Sequence, residues 1–197
     1  MKRINLLIVL PLLGALLGGC ADDKALDATA NHGELDVHPA SDQPHFSSTG
    51  HDVGRLPEAK IKELTKDLDP LELEVTCMSG TERAFTGELW NNKKDGVYLC
   101  KVCSLPLFES GTKFESGTGW PSFFRPYDPE HIEEIKDTSH GMVRIEVRCR
   151  RSGTHLGHRF PDGPKPTGQR YCINSASLEF VKSGEPLPAA AQPARKP

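Results

Sequence analysis

The stretch GMVRIEVRC, Gly141–Cys149, decides the fold class of this chain. Apolar and charged residues alternate along it, with Val143, Ile145 and Val147 set against Arg144, Glu146 and Arg148. Because successive side chains of a strand point to opposite faces, this period of two predicts a half-buried antiparallel strand. The segments GVYLC (96–100) and SLEFV (177–181) predict two more strands, with Gly and Pro between them. We therefore predict a small, mainly antiparallel β domain.

Two short helices are expected at the periphery of this domain. In LPEAKIKELTKDLDP (56–70), Ile61, Leu64 and Leu68 have helical spacing, and Pro70 lies just past the predicted end. The stretch YDPEHIEEIKD (127–137) predicts a second short helix, with Asp128 as its N-cap and Pro129 at its first position. Ile132 and Ile135 would then face inward.

The first twenty residues, MKRINLLIVLPLLGALLGGC, have the form of an export signal. Lys2 and Arg3 precede an apolar run that is too short and broken for a membrane-spanning helix. The run ends in a stretch that resembles the lipobox of bacterial lipoproteins, which predicts lipidation of Cys20. The alternative is an ordinary cleaved signal with an incidental cysteine. Lipidation implies a domain held in the periplasm, and Ala21 after the cysteine favours the outer membrane over the inner membrane.

Composition divides the rest of the chain. The 197 residues carry a formal net charge of -3 without a basic patch, which argues against nucleic-acid binding. We predict a signal over 1–20, a flexible linker over 21–55, the domain over 56–182 and a disordered tail over 183–197. The linker holds four of the eight histidines, whose scattered spacing favours solvated side chains over a weak metal site: His32, His38, His45 and His51.

Five cysteines remain beside Cys20. The pair in CKVC (100–103) has zinc-knuckle spacing, and CRRS (149–152) offers a third cysteine but has Ser152 where a fourth ligand is expected. Either zinc is bound by the three thiolates of Cys100, Cys103 and Cys149 plus water, or no metal is bound and a disulfide forms among these residues. The remaining pair, Cys77 and Cys172, is distant in sequence and is typical of a redox couple.

Five consecutive motifs resemble the methionine-R-sulfoxide reductase family, the B class: GTERAFTGELWNNKKDGVYLCKVCSLPLF (80–108), KFESGTGWPSFFRP (113–126), DTSHGMVRIEVRC (137–149), THLGHRFPDGPKPTG (154–168) and QRYCINSASLEF (169–180). The resemblance covers nearly all of the predicted folded part. It implies a compact domain of two small antiparallel sheets with short peripheral helices. It also implies reduction of the R epimer of methionine sulfoxide in oxidised proteins or peptides, without an organic cofactor.

The resemblance assigns roles to individual residues. Cys172 matches the catalytic nucleophile, which requires an exposed thiol of lowered pKa. His155 and His158, on a predicted glycine-containing loop, match residues that bind the substrate oxygen or a water, and His158 matches the proton donor. Taken alone, they are turn histidines. The other implied site residues are Arg170 and Asn174, on the strand face of Cys172, and Trp120, which contacts the substrate methyl group but taken alone is a core aromatic.

The second cysteine of many family members directly precedes the tryptophan motif, but Thr118 occupies that position here. Some family members place their resolving cysteine in the region ahead of the core, where Cys77 lies on a predicted loop. The resemblance therefore implies that Cys77 resolves the Cys172 sulfenic acid as a disulfide, which a thioredoxin-like protein reduces. The alternative is direct resolution by an external thiol. Two other classes remain as alternatives, namely a membrane-tethered zinc-ribbon-like binding module and a structural envelope lipoprotein with permanent disulfides.

Overall fold

A computed structural model describes residues 44–194, with the side chain of His140 left out. The predicted signal, the lipidation site Cys20 and the first part of the predicted linker lie outside this range. In the part of the chain that the structure describes, no helix has the length and apolar character that a membrane crossing requires.

Two antiparallel sheets and two short helices make up the described chain. The helices are α1 (Glu58–Thr65) and α2 (Pro70–Met78), and the strands are β1 (Gly96–Cys100), β2 (Pro106–Glu109), β3 (Lys113–Phe114), β4 (Ser122–Phe123), β5 (Ile132–Asp137), β6 (Arg144–Cys149), β7 (His155–Phe160), β8 (Arg170–Ile173) and β9 (Leu178–Lys182). One sheet has the order β2-β1-β9 and the other β3-β4-β8-β7-β6-β5. The predicted fold class is confirmed.

Side chains from both sheets share one core. Tyr98 and Phe108 of the small sheet and Phe123 of the large sheet are fully buried in the same cluster. The Phe108 and Phe123 rings stack with centroids 4.4 Å apart, and Tyr98 meets Phe123 edge-on at 5.0 Å. Burial of each such side chain stabilises the fold by roughly 1.5–3 kcal/mol. The core therefore fixes the small sheet against the large one, which carries the site described below.

Helix α2 occupies a segment that was predicted as a loop. Pro70 was expected past a helix end, but it stands at the first position of α2 because Asp69 and Glu72 form a capping box. The Asp69 side chain accepts the Glu72 backbone N–H, and the Glu72 side chain accepts that of Asp69. Helix α1 ends before Leu68. Cys77 consequently lies in the last helical turn, before Ser79 in the left-handed conformation.

The second predicted helix is wrong. Only a single 3-10 turn, Pro129–His131, follows the Asp128 cap, whose side chain accepts the Glu130 backbone N–H as expected. The chain then enters β5, which pairs with β6 over its full length. Ile132 and Ile135 therefore lie on opposite faces of a strand, and only Ile132 is buried. The ladder with β6 outweighs the weak local preference for a helix.

Both ends of the described chain pack on the domain, although linker and tail were predicted there. Residues 44–54 form a turn closed by a bridge between Phe46 and Asp52, and the tail forms a 3-10 turn at Ala189–Ala191. His51, predicted as solvated, is buried and bonds the Ala191 carbonyl oxygen through Nε2 at 3.2 Å. The buried His51 side chain thus joins the N-terminal and C-terminal segments of the described chain by a hydrogen bond.

Candidate active site

Four side chains lie in one row across the large sheet. Cys172 on β8 is directly opposite Ser122 on β4 and His158 on β7, and His158 is directly opposite Glu146 on β6. Opposed residues of antiparallel strands project to the same face, with Cβ atoms about 4.5–5.5 Å apart. The sheet therefore places the predicted nucleophile beside the predicted proton donor.

A β-bulge in β7 brings the second histidine to this face. Val147 pairs with Gly157, but Arg148 pairs with His155, so Leu156 is an extra residue on β7. In a regular strand, positions 155 and 158 point to opposite faces, and the bulge reverses this for His155. The His155 and His158 ring centroids are 5.5 Å apart. The predicted loop is thus wrong, because both histidines belong to β7.

His155 is held by a buried carboxylate. Its Nδ1 lies 2.7 Å from Oε1 of Glu146, which Arg148 also contacts through Nε at 2.9 Å. Although burial alone would raise it, hydrogen bonds from His155 and Arg148 hold the pKa of Glu146 below its ordinary value. Nε2 of His155 is buried without a hydrogen-bond partner among residues 44–194. Because Nδ1–H donates to the carboxylate, Nε2 is free to accept a hydrogen bond from a ligand or water.

His158 is held by a second carboxylate. Its Nε2 lies 2.9 Å from Oδ2 of Asp137, which also accepts a hydrogen bond from Arg144 at 2.6 Å. Burial opposes ionisation of Asp137, but hydrogen bonds from Ser139, His158 and Arg144 hold its pKa well below the usual range. Burial lowers the pKa of His158 itself. The ring is therefore neutral at pH 7 and must receive a proton before it can donate one.

The Cys172 thiol is partly buried, and its pKa differs from the expectation. Thr118 Oγ1 lies 3.9 Å from Cys172 Sγ. Burial raises the pKa of Cys172, while Thr118, Arg170 and Ser122 offset only part of this effect. The expected lowered pKa is thus contradicted, since a buried thiolate is poorly solvated. The resting residue is a thiol, and it stands opposite His158 in the strand pairing.

We expect the alkylation of Cys172 by iodoacetamide to show this raised pKa. Because only the thiolate reacts, the rate should rise with pH through a midpoint above about 8.5, the ordinary thiol value. The measurement is the pH dependence of labelling of the Cys172 peptide by mass spectrometry. The same peptide labelled in the denatured protein is the control and should show the lower midpoint. Equal midpoints, or a lower one in the folded protein, would contradict the assignment.

Arg170 supplies positive charge beside the thiol. Its guanidinium binds both carboxylate oxygens of Asp162, each at 2.9 Å, and stacks on the Phe160 ring at 4.5 Å. These contacts fix the arginine, whose charge favours the Cys172 thiolate. Asp162 was not singled out from the sequence, nor were the histidine partners Asp137 and Glu146. The sequence feature that could have identified these three acidic residues is their position inside a motif that also contains a histidine or an arginine.

Trp120 and Asn174 both hydrogen-bond the backbone of Glu82, a residue that was not singled out from the sequence. The partly buried Trp120 donates its ring Nε1–H to the Glu82 carbonyl oxygen at 3.1 Å. Asn174 is buried, accepts the Glu82 N–H at its Oδ1 and donates its Nδ2–H to the Leu156 carbonyl oxygen. The Asn174 amide therefore bonds backbone groups and positions the end of β8.

Cys77 is not brought to Cys172 by this structure. It is exposed in α2, and no bond joins it to Cys172 in the described part of the chain. Helix α2 packs against β7 and the 3-10 turn Ser175–Ser177, which follows Cys172. Helix α2 thus contacts the turn that follows Cys172, while the two thiols are unbonded.

Three buried cysteines form a separate cluster. The sulfurs of Cys100, Cys103 and Cys149 lie within 4.8 Å of one another, with Cys103 and Cys149 3.6 Å apart. All three are free thiols, so the alternative of a disulfide among them is not formed here. Ser152 Oγ lies 3.4 Å from Cys100 Sγ. Burial raises the pKa of Cys149 to about 12. Three converging sulfurs fit a zinc ion, with a hydroxyl beside the fourth position.

Comparison with known proteins identifies the family of this chain. The SelR domain matches residues 68–182, more than half of the chain. A Caulobacter vibrioides (strain NA1000 / CB15N) protein is 52% identical over 148 residues, which cover 75% of this chain and 93% of the relative. A Saccharophagus degradans protein is 60% identical over 117 residues, which cover 59% of this chain and 87% of the relative. An Escherichia coli (strain K12 / DH10B) protein is 56% identical over 128 residues, which cover 64% of this chain and 93% of the relative. All three bear the name peptide methionine sulfoxide reductase MsrB. This chain therefore belongs to the SelR-domain family of MsrB methionine sulfoxide reductases.

Proposed function

We propose that this protein reduces the R epimer of methionine sulfoxide in proteins and peptides, with Cys172 as nucleophile. The observation that carries the proposal is the row across the large sheet. It places Cys172 directly opposite His158, on the face where the bulge also brings His155. A thiol, a neutral base beside it and a second imidazole with a free nitrogen are the groups that this reaction needs.

In the proposed reaction the neutral His158 takes the thiol proton and the Cys172 sulfur attacks the sulfoxide sulfur. His158 then returns the proton to the sulfoxide oxygen. The transient bond between the two sulfurs and the sulfur–oxygen bond of the substrate then both break as the hydroxyl bonds to the Cys172 sulfur, giving methionine and a sulfenic acid. The substrate sulfur gains the two electrons that the cysteine sulfur loses. His155 Nε2 accepts a hydrogen bond from the protonated oxygen or from a bridging water.

Trp120 is proposed to contact the substrate S-methyl group. Trp120 is partly buried, and its ring is held by the Nε1–H bond to the Glu82 carbonyl oxygen. A fixed aromatic face favours an apolar methyl group over the sulfoxide oxygen, which would meet His155 and His158 instead. Opposite placement of methyl and oxygen discriminates between the two epimers at sulfur.

Recycling is proposed to pass through Cys77. Its thiol attacks the Cys172 sulfenic acid, water leaves and a disulfide forms. A thioredoxin-like dithiol then reduces the disulfide. Cys77 is exposed in the last turn of α2, beside the left-handed residue Ser79 that ends the helix. Terminal helical turns open more readily than the middle of a helix, which supports movement of Cys77 toward Cys172.

A structural zinc ion is proposed at the buried cysteine cluster. Cys100, Cys103 and Cys149 would hold the ion, with the Ser152 hydroxyl beside the fourth position. When bound, zinc would cross-link the end of β1 to the end of β6, and it takes no part in sulfoxide chemistry.

Metal removal should lower stability. A ligand bound at 100–1,000 times its Kd stabilises by about 3–4 kcal/mol, which corresponds to a Tm shift of roughly 10 °C at this chain length. We expect about one zinc per purified chain by elemental analysis. After a strong chelator, we expect the lower Tm together with three newly reactive thiols. Cys149→Ser should reproduce the loss of metal. Loss of the metal on chelation without a change in Tm would contradict a structural zinc site.

The N-terminal sequence pattern supports a cellular location for this activity. We propose that Cys20 is lipidated after signal cleavage and that the following residues tether the domain in the periplasm at the outer membrane. The substrates would then be oxidised envelope proteins. Metabolic labelling with a fatty acid tests this directly, because Cys20→Ser should lose the label and release the protein from membranes. Equal labelling of the variant would contradict lipidation at this residue.

The decisive test of the activity uses separated R and S epimers of a peptide methionine sulfoxide. Purified full-length protein with thioredoxin, thioredoxin reductase and NADPH should convert the R epimer and leave the S epimer unchanged. Conversion of neither epimer by fully reduced protein would overturn the proposal and favour a binding module. A permanent disulfide at Cys172 would favour a structural lipoprotein.

A further inference from the structure

Glu82 is a buried acidic residue that the reaction above does not use. Its side chain is 2% exposed, yet both carboxylate oxygens are hydrogen-bonded to the backbone that follows the active-site strand. Oε1 accepts the Ser175 N–H at 2.6 Å and Oε2 accepts the Ala176 N–H at 2.8 Å. A carboxylate removed from water is unfavourable unless such partners are present, so the two N–H groups define where Glu82 sits.

The backbone of the same residue contacts two predicted site residues. The Glu82 N–H donates to Asn174 Oδ1 at 3.1 Å, and the Glu82 carbonyl oxygen accepts the Trp120 Nε1–H at 3.1 Å. A second backbone bond joins the same loop to the tryptophan motif, from the Phe85 N–H to the Gly119 carbonyl oxygen at 2.9 Å. The carboxylate thus anchors a loop whose backbone holds the Trp120 indole.

We propose that Glu82 is a positioning residue for substrate binding. It ties the segment after Cys172 to Trp120, so that the aromatic face stands at a fixed place relative to the nucleophile. This inference rests on the proposed function, because it assigns Glu82 a role in recognition of the sulfoxide through Trp120. Glu82 touches neither the substrate nor the reacting atoms and acts through its neighbours.

Glu82→Gln provides the test. One glutamine NH₂ group would face a backbone N–H in place of an acceptor, so one of the two clamping bonds is lost and its donor is left unpaired. We expect KM for a peptide methionine-R-sulfoxide to rise about tenfold, because Trp120 is displaced, while kcat changes less than about threefold. Glu88→Gln is the matched control, because Glu88 is exposed on the same loop and loses the same charge.

The position of the indole gives a readout besides activity. In a Trp90→Phe background Trp120 is the remaining tryptophan. Its fluorescence should shift to longer wavelength in Glu82→Gln and stay unchanged in Glu88→Gln. A lowered Tm with wild-type KM and wild-type fluorescence would overturn the proposal, because it would show a role in stability alone. Wild-type protein that turns over neither epimer would instead reject the proposed function.

A second variant keeps the proposal testable if Glu82→Gln does not fold. Benzothienylalanine introduced at position 120 preserves the size of the tryptophan ring but replaces its N–H with sulfur. It removes the bond to the Glu82 carbonyl oxygen without touching the buried carboxylate. A rise in KM of about fivefold or more with little change in kcat supports the clamp. A wild-type KM in this variant contradicts it.

Discussion

Replacement of Cys172 with serine is expected to abolish sulfoxide reduction. A serine hydroxyl stays protonated beside His158 and is a poor nucleophile for sulfur, so no sulfenic acid can form. Loss of a nucleophile lowers kcat by roughly 10⁴-fold or more. The measurement is methionine released from the R-epimer peptide in a single turnover by prereduced protein. The exchange of sulfur for oxygen at a half-buried position should leave the Tm within a few degrees of wild type.

Cys103→Ser is an informative control for this experiment. It removes a thiol from the buried cluster, so it should affect stability but retain single-turnover chemistry in the fraction that folds. Trapping with dimedone should label wild-type Cys172 only after addition of the sulfoxide. Measurable release of methionine by Cys172→Ser at more than about a hundredth of the wild-type rate would exclude Cys172 as the nucleophile.

Cys77→Ser is expected to separate chemistry from recycling. Because Cys77 is exposed and bonds no site residue, the single-turnover yield of methionine should match wild type. Steady-state turnover with thioredoxin should fall by about 100-fold or more, since the sulfenic acid has no internal thiol to form a disulfide. A small dithiol such as dithiothreitol should restore turnover, because it can reach Cys172 directly.

The fate of the sulfenic acid distinguishes the two routes of resolution. In Cys77→Ser, dimedone should label Cys172 after one turnover, whereas wild-type protein should yield a Cys77–Cys172 disulfide peptide on mass spectrometry. Wild-type steady-state rates with thioredoxin in the variant would mean that an external thiol resolves the intermediate. If turnover falls in Cys77→Ser as expected, Thr118→Cys in that background should recover thioredoxin-dependent turnover, because Thr118 Oγ1 lies 3.9 Å from Cys172 Sγ.

Local patterns in the sequence are enough to predict the framework of this fold. The strands around Val147, Tyr98 and Phe180 alternate or carry β-favouring residues, and the structure contains all three. The segment 132–137 was missed because its helical spacing of isoleucines is ambiguous at that length, and only pairing with β6 settles it. Burial of His51 against Ala191 is likewise a long-range contact without a local signal.

The candidate site was predictable as a set of residues but not as an arrangement. The resemblance named Cys172, His155 and His158, yet nothing in the spacing of the two histidines shows that they share a face. That depends on the extra residue Leu156, which is visible only in the pairing with β6. The raised pKa of Cys172 was also unpredictable, since it arises from burial that only the folded chain defines.

The bulge in β7 has a consequence for how this site can be lost. Leu156 is an extra residue without a partner on β6, so the orientation of His155 depends on this irregular pairing and not only on the identity of the residues. If β7 paired regularly with Leu156 retained, Leu156 would stand opposite Arg148 and His155 would turn to the opposite face, while every functional side chain stayed in the sequence. A relative of equal length whose strand lacks the bulge at this point would keep all the motifs but lack the paired imidazoles. The irregular pairing of the strand, as much as composition, is therefore part of the signature of this site.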